Sequence, residues 1–207
     1  DEILSSYDAD CSLVLSYGGL GAARKMQQEL GIPYKVGLPI GGKFFPVCGA
    51  AALPVSASPC SRAAQPTFAN ERSKSFSANA ARPKQPQKIF LIGETVFAES
   101  LASALAESLG FRPTVIVPME TDHEILEPGT LQLTDEAELV PVLKTADLVI
   151  ADPLYRPICP PAAAFVPLPH TAFSGRLYLK EIPNLIEENV FSDFAQKVLA
   201  KLQEKSV

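Results

Sequence analysis

The sequence contains no tryptophan, only two histidines and only four cysteines in 207 residues. The cysteines are too few and too scattered for a disulfide framework, and none forms the C-x-x-C pair typical of a closed zinc site. A single cysteine is more often a small buried residue than a ligand. We therefore expect neither disulfides nor zinc at Cys11, Cys48, Cys60 and Cys159.

Long apolar runs and clustered positive charge are also missing. No apolar run approaches the roughly 18 residues that a membrane span needs. The net charge is -5, whereas nucleic acids and anionic membranes are bound by a clustered positive field. Residues 1–4 lack the basic start and apolar stretch of a secretory signal, and the absent initiating Met fits a processed or truncated piece. We expect no nucleic-acid partner, no membrane association and a cytoplasmic location.

The hydrophobic fraction of 47% is enough for a sizeable core, and the sequence divides into three stretches. Residues 1–45 are predicted to form part of a Rossmann-like lobe. A strand at 12–15 is followed by a glycine turn, a helix at 22–30 and a strand at 33–38. Gly31 stands where a left-handed helix cap belongs.

Residues 46–87 differ in kind, with 10 Ala, 6 Ser and 6 Pro among 42 residues. Residues 48–88 hold six basic side chains and one acidic, against 12 basic and 22 acidic in the rest of the chain. Such a composition cannot bury enough apolar surface to order itself alone. We interpret 46–87 as a basic linker lying over the acidic lobes; a docking arm for an acidic partner is the alternative.

Residues 88–207 are predicted to form a second Rossmann-like lobe that ends in a helix. Short apolar strands alternate here with helical segments, which indicates a parallel sheet with right-handed crossovers. The predicted strands lie at 88–92, 113–117, 147–151 and 164–168. The predicted fold class is therefore α/β, with parallel Rossmann-like sheets, helices on both faces and two lobes.

Two helices of this second lobe are predicted in more detail. Thr134 is expected to cap a short helix ending at Leu143, with Pro141 kinking it or ending it early. The last helix is predicted at about 183–201. Its buried seam is expected to consist of Ile186, Val190, Phe194 and Val198.

Ligands of open parallel sheets bind beyond the carboxyl ends of the strands, where loops converge. Four loops qualify, at residues 16–21, 93–95, 152–156 and 169–176. The glycine turn in the first loop lacks both the Walker lysine and the G-x-G-x-x-G order, and Glu94 in the second would repel an anion. We therefore expect no nucleotide.

The histidines give no catalytic group from spacing alone. His123 lies between two acidic residues and is most simply a solvated loop residue. His170 lies at a strand's carboxyl end, and a single histidine is more often structural than a ligand. Asp152, just before a proline, is likewise more often a turn-forming residue than an acid or base.

An ordered set of motifs nevertheless resembles the nitrogenase component 1 type oxidoreductases. In the first stretch these are SLVLSY at 12–17, LGIPY at 30–34 and GLPIG at 37–41. That family has a strand and a helix leading into a GIPY or GIPW turn and a PIG segment.

The second stretch continues the same resemblance. It contains KIFLIG at 88–93, ADLVI at 146–150 and FVPLPH at 165–170. HTAFSG at 170–175 resembles the HSWDYSG loop of the catalytic nitrogenase subunit. Members of the family include nitrogenase, its cofactor-assembly scaffolds and reductases of chlorophyll-type and nickel tetrapyrroles.

The resemblance implies a ligand in the cleft between the lobes. His170 matches the histidine that binds the metal cofactor, so it is the predicted catalytic residue, as metal ligand or proton donor. Arg176 is expected to hold a carboxylate through its planar fork. The implied cofactor is an iron–sulfur-type metal cofactor or a tetrapyrrole. The other predicted cofactor-binding residues are Ser16, Tyr17, Gly18, Gly93 and Asp152.

The implied activity is that of a reductase subunit receiving electrons from an ATP-driven iron–sulfur partner. Two departures point to a non-catalytic cofactor-binding or assembly-scaffold module instead. Ser16 stands where the catalytic subunit has its cofactor-binding cysteine, and a hydroxyl is a poor substitute for a thiolate on iron. The family's first domain, which holds the cysteines of its bridging cluster, is absent from this chain. A third reading is a paralogue that pairs with a full-length subunit; self-association is also plausible.

Overall fold

A computed structural model describes residues 8–47 and 87–204. The predicted linker at 46–87 therefore falls almost entirely outside the described residues, as do Cys48 and Cys60. Within the described ranges, no helix has both the length and the apolar character needed to cross a membrane.

The described elements alternate between strands and helices along the chain. The strands are β1 (Ser12–Val14), β2 (Tyr34–Ile40), β3 (Lys43–Pro46), β4 (Ile89–Ile92), β5 (Thr114–Val117), β6 (Leu131–Gln132), β7 (Leu148–Ala151) and β8 (Ala164–Pro167). The α-helices are α1 (Leu20–Leu30), α2 (Thr95–Leu109), α3 (Glu136–Leu143), α4 (Thr171–Tyr178) and α5 (Glu188–Glu204).

The larger sheet is fully parallel and has the order β6-β5-β4-β7-β8. Its central strands β4 and β7 are buried on both faces because alternate side chains meet different helices. Leu91 of β4 packs with residues of α2 and α5, whereas the neighbouring Ile92 packs with Leu139 and Leu143 of α3. This arrangement confirms the predicted α/β class with helices on both faces.

The smaller sheet has the order β1-β2-β3, and its third strand was not predicted. β1 and β2 are parallel, whereas β3 returns antiparallel through Gly41 and Gly42. Both glycines have positive φ, at 56° and 75°, as a two-residue hairpin turn of the primed type requires. Residues 37–41 of the resemblance motif thus lead into a hairpin turn.

The buried hydroxyl of Ser100 on α2 forms two hydrogen bonds with the smaller sheet. Ser100 Oγ accepts a hydrogen bond from the Leu38 amide and donates one to the Phe45 carbonyl, each at 3.0 Å. The side chain of Ser100 is fully buried, so both bonds form away from water. One α2 residue therefore satisfies backbone groups on both β2 and β3.

Three sequence predictions about helices need correction. The cap of α3 is Asp135 rather than Thr134, and Pro141 lies inside the helix instead of ending it. The C-terminal helix starts at Glu188, so Ile186 precedes it and is 52% exposed; Phe191, Ala195 and Leu202 join the buried seam instead. The predicted loop 169–176 folds as α4 from its third residue onward.

Three charged residues, Arg24, Asp122 and Glu124, join α1 to the loop after β5, and we call them the Arg24 cluster. Their contribution to stability is expected to depend on pH. Arg24 bonds Asp122 at 2.6 Å and Glu124 at 2.8 Å. The pKa of Asp122 is lowered, first by the Glu124 amide that its carboxylate accepts and then by Arg24. Its stabilising contribution is therefore present above the ordinary pKa of 3.8 and is lost as pH falls through the lowered value.

We expect Arg24→Ala to lower the free energy of unfolding by about 1 kcal/mol at neutral pH. This difference should shrink in acid, once Asp122 is protonated in both proteins. Urea unfolding of both proteins at neutral pH and below pH 3.8 measures this difference in unfolding free energy. Lys25→Ala is the matched control, because its pair with Glu29 is exposed and 3.8 Å long. Equal losses for both variants at every pH would contradict the prediction.

Candidate functional site

The carboxyl ends of β4 and β7 meet where the strand order of the larger sheet reverses. From β4 the chain moves outward to β5 and β6, then returns to β7 and β8 on the other side. Leu91 pairs with Ile150, so Gly93 and Asp152 leave adjacent strands at this edge. Such a switch point is where open α/β sheets form ligand crevices.

Asp152 organises the loops on the β7 side of this edge. Its Oδ1 accepts the Leu154 amide at 3.0 Å, and its Oδ2 accepts the His170 amide at 2.8 Å and the Ser174 hydroxyl at 2.5 Å. The residue is only 3% exposed. Oδ2 therefore holds the chain after β7 to the chain after β8, while Oδ1 caps the 3₁₀ helix Pro153–Ile158, and both are positioning roles.

His170 begins α4 as its N-cap. Its Nδ1 accepts the Ala172 amide at 3.2 Å, and its ring lies 5.3 Å from that of Phe173. A neutral imidazole that accepts through one nitrogen carries its proton on the other. The geometry thus assigns the proton of neutral His170 to Nε2, which is left to donate to a ligand.

Serine, histidine and aspartate meet here without forming a hydrolytic triad. A triad needs the imidazole hydrogen-bonded to both the nucleophile and the carboxylate. In this site the Ser174 hydroxyl donates to Asp152 directly, and Asp152 accepts the backbone amide of His170 rather than its ring. This arrangement supports positioning of a loop and not activation of the Ser174 hydroxyl.

The turn after β1 reaches the same edge from the smaller sheet. The Tyr17 amide donates to Glu94 Oε1 at 2.6 Å, while Glu94 Oε2 accepts the Phe97 amide at 3.0 Å as the cap of α2. Tyr17 is therefore adjacent to Gly93. Sequence reasoning treated Glu94 only as a group that repels anions and missed its contact with the turn.

Six of the seven predicted site residues fall into two groups, and Arg176 lies outside both. Tyr17 and Gly93 meet through Glu94, and Asp152 and His170 are hydrogen-bonded. Ser16 and Gly18 flank Tyr17 and are exposed. Within residues 8–47 and 87–204, no hydrogen bond or ring contact joins Ser16 to His170. Arg176 is exposed in the last turn of α4.

The described residues form no metal site from protein side chains alone around His170. Among the described residues, no three His, Cys, Asp or Glu side chains could hold a metal together. Coordination through Nε2 would also displace the proton that the Ala172 contact assigns to it. Cys159 is buried, and burial raises the pKa of its thiol, so it is not a ready thiolate. The metal role of His170 stays a prediction.

Comparison with known proteins yields one distant likeness. No protein-family model matches the chain, and no curated protein matches it. A solved structure of nitrogenase Cp1 at pH 6.5 superposes on it with a TM-score of 0.51 and 16% sequence identity. The chain has a nitrogenase-like α/β fold. The likeness covers 97% of this chain and 46% of the nitrogenase chain, so the chain spans less than half the length of that protein.

Proposed function

We propose that the chain is a ligand-binding module of a nitrogenase component 1-like protein. Its ligand, a tetrapyrrole-like organic molecule, binds in the crevice between the Tyr17 turn and the Asp152–His170 loops. The observation that carries the proposal is the His170 ring, whose Nδ1 accepts the Ala172 amide, so that the neutral ring carries its proton on Nε2. The strand order supports the same location, because open α/β sheets bind ligands at such a switch point.

Each predicted residue has a role in this proposal. His170 donates from Nε2 to an acceptor on the ligand, and Asp152 holds the loop that carries it. The hydroxyls of Ser16 and Tyr17 supply further polar contacts, and Gly18 and Gly93 let the backbone approach closely. Arg176, exposed nearby along the chain, binds a peripheral carboxylate with its planar guanidinium.

A reductase subunit is the second candidate function, and the fold likeness over 97% of the chain favours it. In that version an ATP-driven iron–sulfur partner supplies electrons, and a full-length subunit pairs with the chain. His170 would then donate the proton at Nε2 to the bound ligand. Iron and acid-labile sulfide measured after anaerobic purification separate the two, since a stoichiometric cluster supports the reductase.

Protoporphyrin IX binding tests the proposed site. We expect His170→Ala to weaken binding about tenfold, the effect of one lost hydrogen bond of roughly 1.4 kcal/mol. His123→Ala is the matched control, because this exposed histidine lies in the Arg24 cluster rather than at the crevice. Absorbance titration measures both. Equal affinity of the two variants would remove His170 from the site.

The tautomer can be checked independently of any ligand. Nitrogen-15 NMR of the two histidines should find the neutral His170 ring unprotonated at Nδ1 and protonated at Nε2. A ring protonated at Nδ1 would contradict the cap geometry and the donor role together.

A further inference from the structure

A groove of about 430 Å³ lies beside the crevice, on the α3 side of the carboxyl edge. It runs between the start of α3 and the 3₁₀ helix Pro153–Ile158 and ends at Phe173 of α4. None of the predicted crevice residues lines it. Its volume is in the range of small-molecule sites.

Aromatic and aliphatic side chains form the walls of this groove. The rings of Tyr155 and Phe173 are 6.5 Å apart and inclined at 71°, an edge-to-face arrangement. Phe173 is 40% exposed and Leu154 is 54% exposed, although both are large apolar residues. An apolar molecule in the groove would remove part of this surface from water.

The charge at the groove is of one sign. Its charged lining residues are Asp135 and Glu136, at the start of α3. Asp135 Oδ1 accepts the Ala137 amide, and neither carboxylate forms an ion pair with another described residue. An anion would be repelled here, whereas a cation would be attracted by the carboxylates.

We propose that this groove binds a small organic cation with an apolar body. The ammonium group lies near Asp135 and Glu136, and the body packs against Tyr155 and Phe173. This site is separate from the crevice, and its existence does not depend on the proposed function.

The two histidines give a direct readout of occupancy. The Phe173 ring borders the groove and lies 5.3 Å from the ring of His170, so a molecule that moves or covers Phe173 changes the magnetic environment of His170. His123 is on the 3₁₀ helix beside the Arg24 cluster and serves as the internal reference.

Titration of the full chain with benzyltrimethylammonium tests the proposal. We expect saturable shifts of the His170 imidazole signals, with those of His123 unchanged, and no such shifts with phenylacetate, an anion of similar size. Shifts of equal size with phenylacetate, or none with the cation, would overturn the proposal.

Variants then locate the cation. The double variant Asp135→Asn, Glu136→Gln should weaken binding at least about tenfold, and Asn preserves the helix cap. Leu177→Ala is the matched control, since Leu177 is 74% exposed on α4 and does not line the groove. Unchanged affinity in the double variant would contradict the assigned charge contacts.

Calorimetry with His170→Ala separates the groove from the crevice. This variant should lose protoporphyrin IX affinity and keep benzyltrimethylammonium affinity. Failure of porphyrin binding in the unaltered chain would reject the proposed function and leave the groove standing. Loss of both ligands in His170→Ala would contradict two separate sites.

Discussion

Gly37→Ala is expected to lower the free energy of unfolding by more than about 3 kcal/mol. Gly37 has a φ of 148°, a conformation that L side chains rarely adopt. An added Cβ would lie 2.3 Å from the Phe45 carbonyl oxygen and 2.9 Å from Pro46 Cα, both backbone atoms of β3. Relief requires β3 to move, which also disturbs the Ser100 bond to Phe45.

Gly31→Ala is the control that measures backbone strain without a close contact between the added Cβ and β3. Gly31 also has positive φ, at 71°, but an added Cβ there would meet no atom within 4 Å. Its replacement should cost only about 1 kcal/mol. Urea unfolding of both variants measures the difference, and similar losses would show that β3 accommodates the methyl group.

Asp152→Ala is expected to lower the free energy of unfolding by about 3 to 5 kcal/mol. The change leaves the His170 amide, the Leu154 amide and the Ser174 hydroxyl without their acceptor in a buried place. Water cannot easily replace that acceptor, because Asp152 and Ser174 are each only 3% exposed.

The matched control for this change is Asp135→Ala. Asp135 caps α3 with a single backbone bond and is exposed, so its removal should cost only about 1 kcal/mol. Thermal unfolding and the His170 imidazole signals together measure both effects. A stable Asp152→Ala protein with unchanged His170 signals would contradict the positioning role.

Local sequence patterns predicted four of the five strands of the larger sheet and missed the two-residue edge strand β6. The strands β4 and β7 are short apolar runs whose every residue is buried, so their composition alone reveals them. Gly31 was expected to end a helix, and it is the C-cap of α1 with a φ of 71°. These signals are local because a helix end or a buried strand is decided by a few neighbouring residues.

Elements that depend on distant residues were not predicted. The hairpin strand β3 is held by Ser100, 55 residues from Phe45, and no local pattern records that bond. The helix α4 escaped notice because it is short and its apolar residues Phe173 and Leu177 are exposed. Its cap is a histidine, which lies outside the usual set of capping residues.

The candidate site was also predicted only in part. The loops at the carboxyl ends of the strands could be chosen from topology, and Asp152 and His170 do meet there. The use of Asp152 as a buried acceptor, and the contact of Tyr17 with Glu94, could not be read from spacing. Those contacts join residues 18 and 77 positions apart, and only the folded chain brings them together.

The Asp152 network also bears on how tightly a ligand could be held. Since Asp152 holds the backbone of His170 and the Ala172 amide holds its ring before any ligand binds, less conformational entropy remains to be lost on binding. Preorganisation of this kind favours a receptor that fits one rigid shape over one that adapts to many. For the ligand-binding module proposed above, this favours rigid planar ligands over flexible ones.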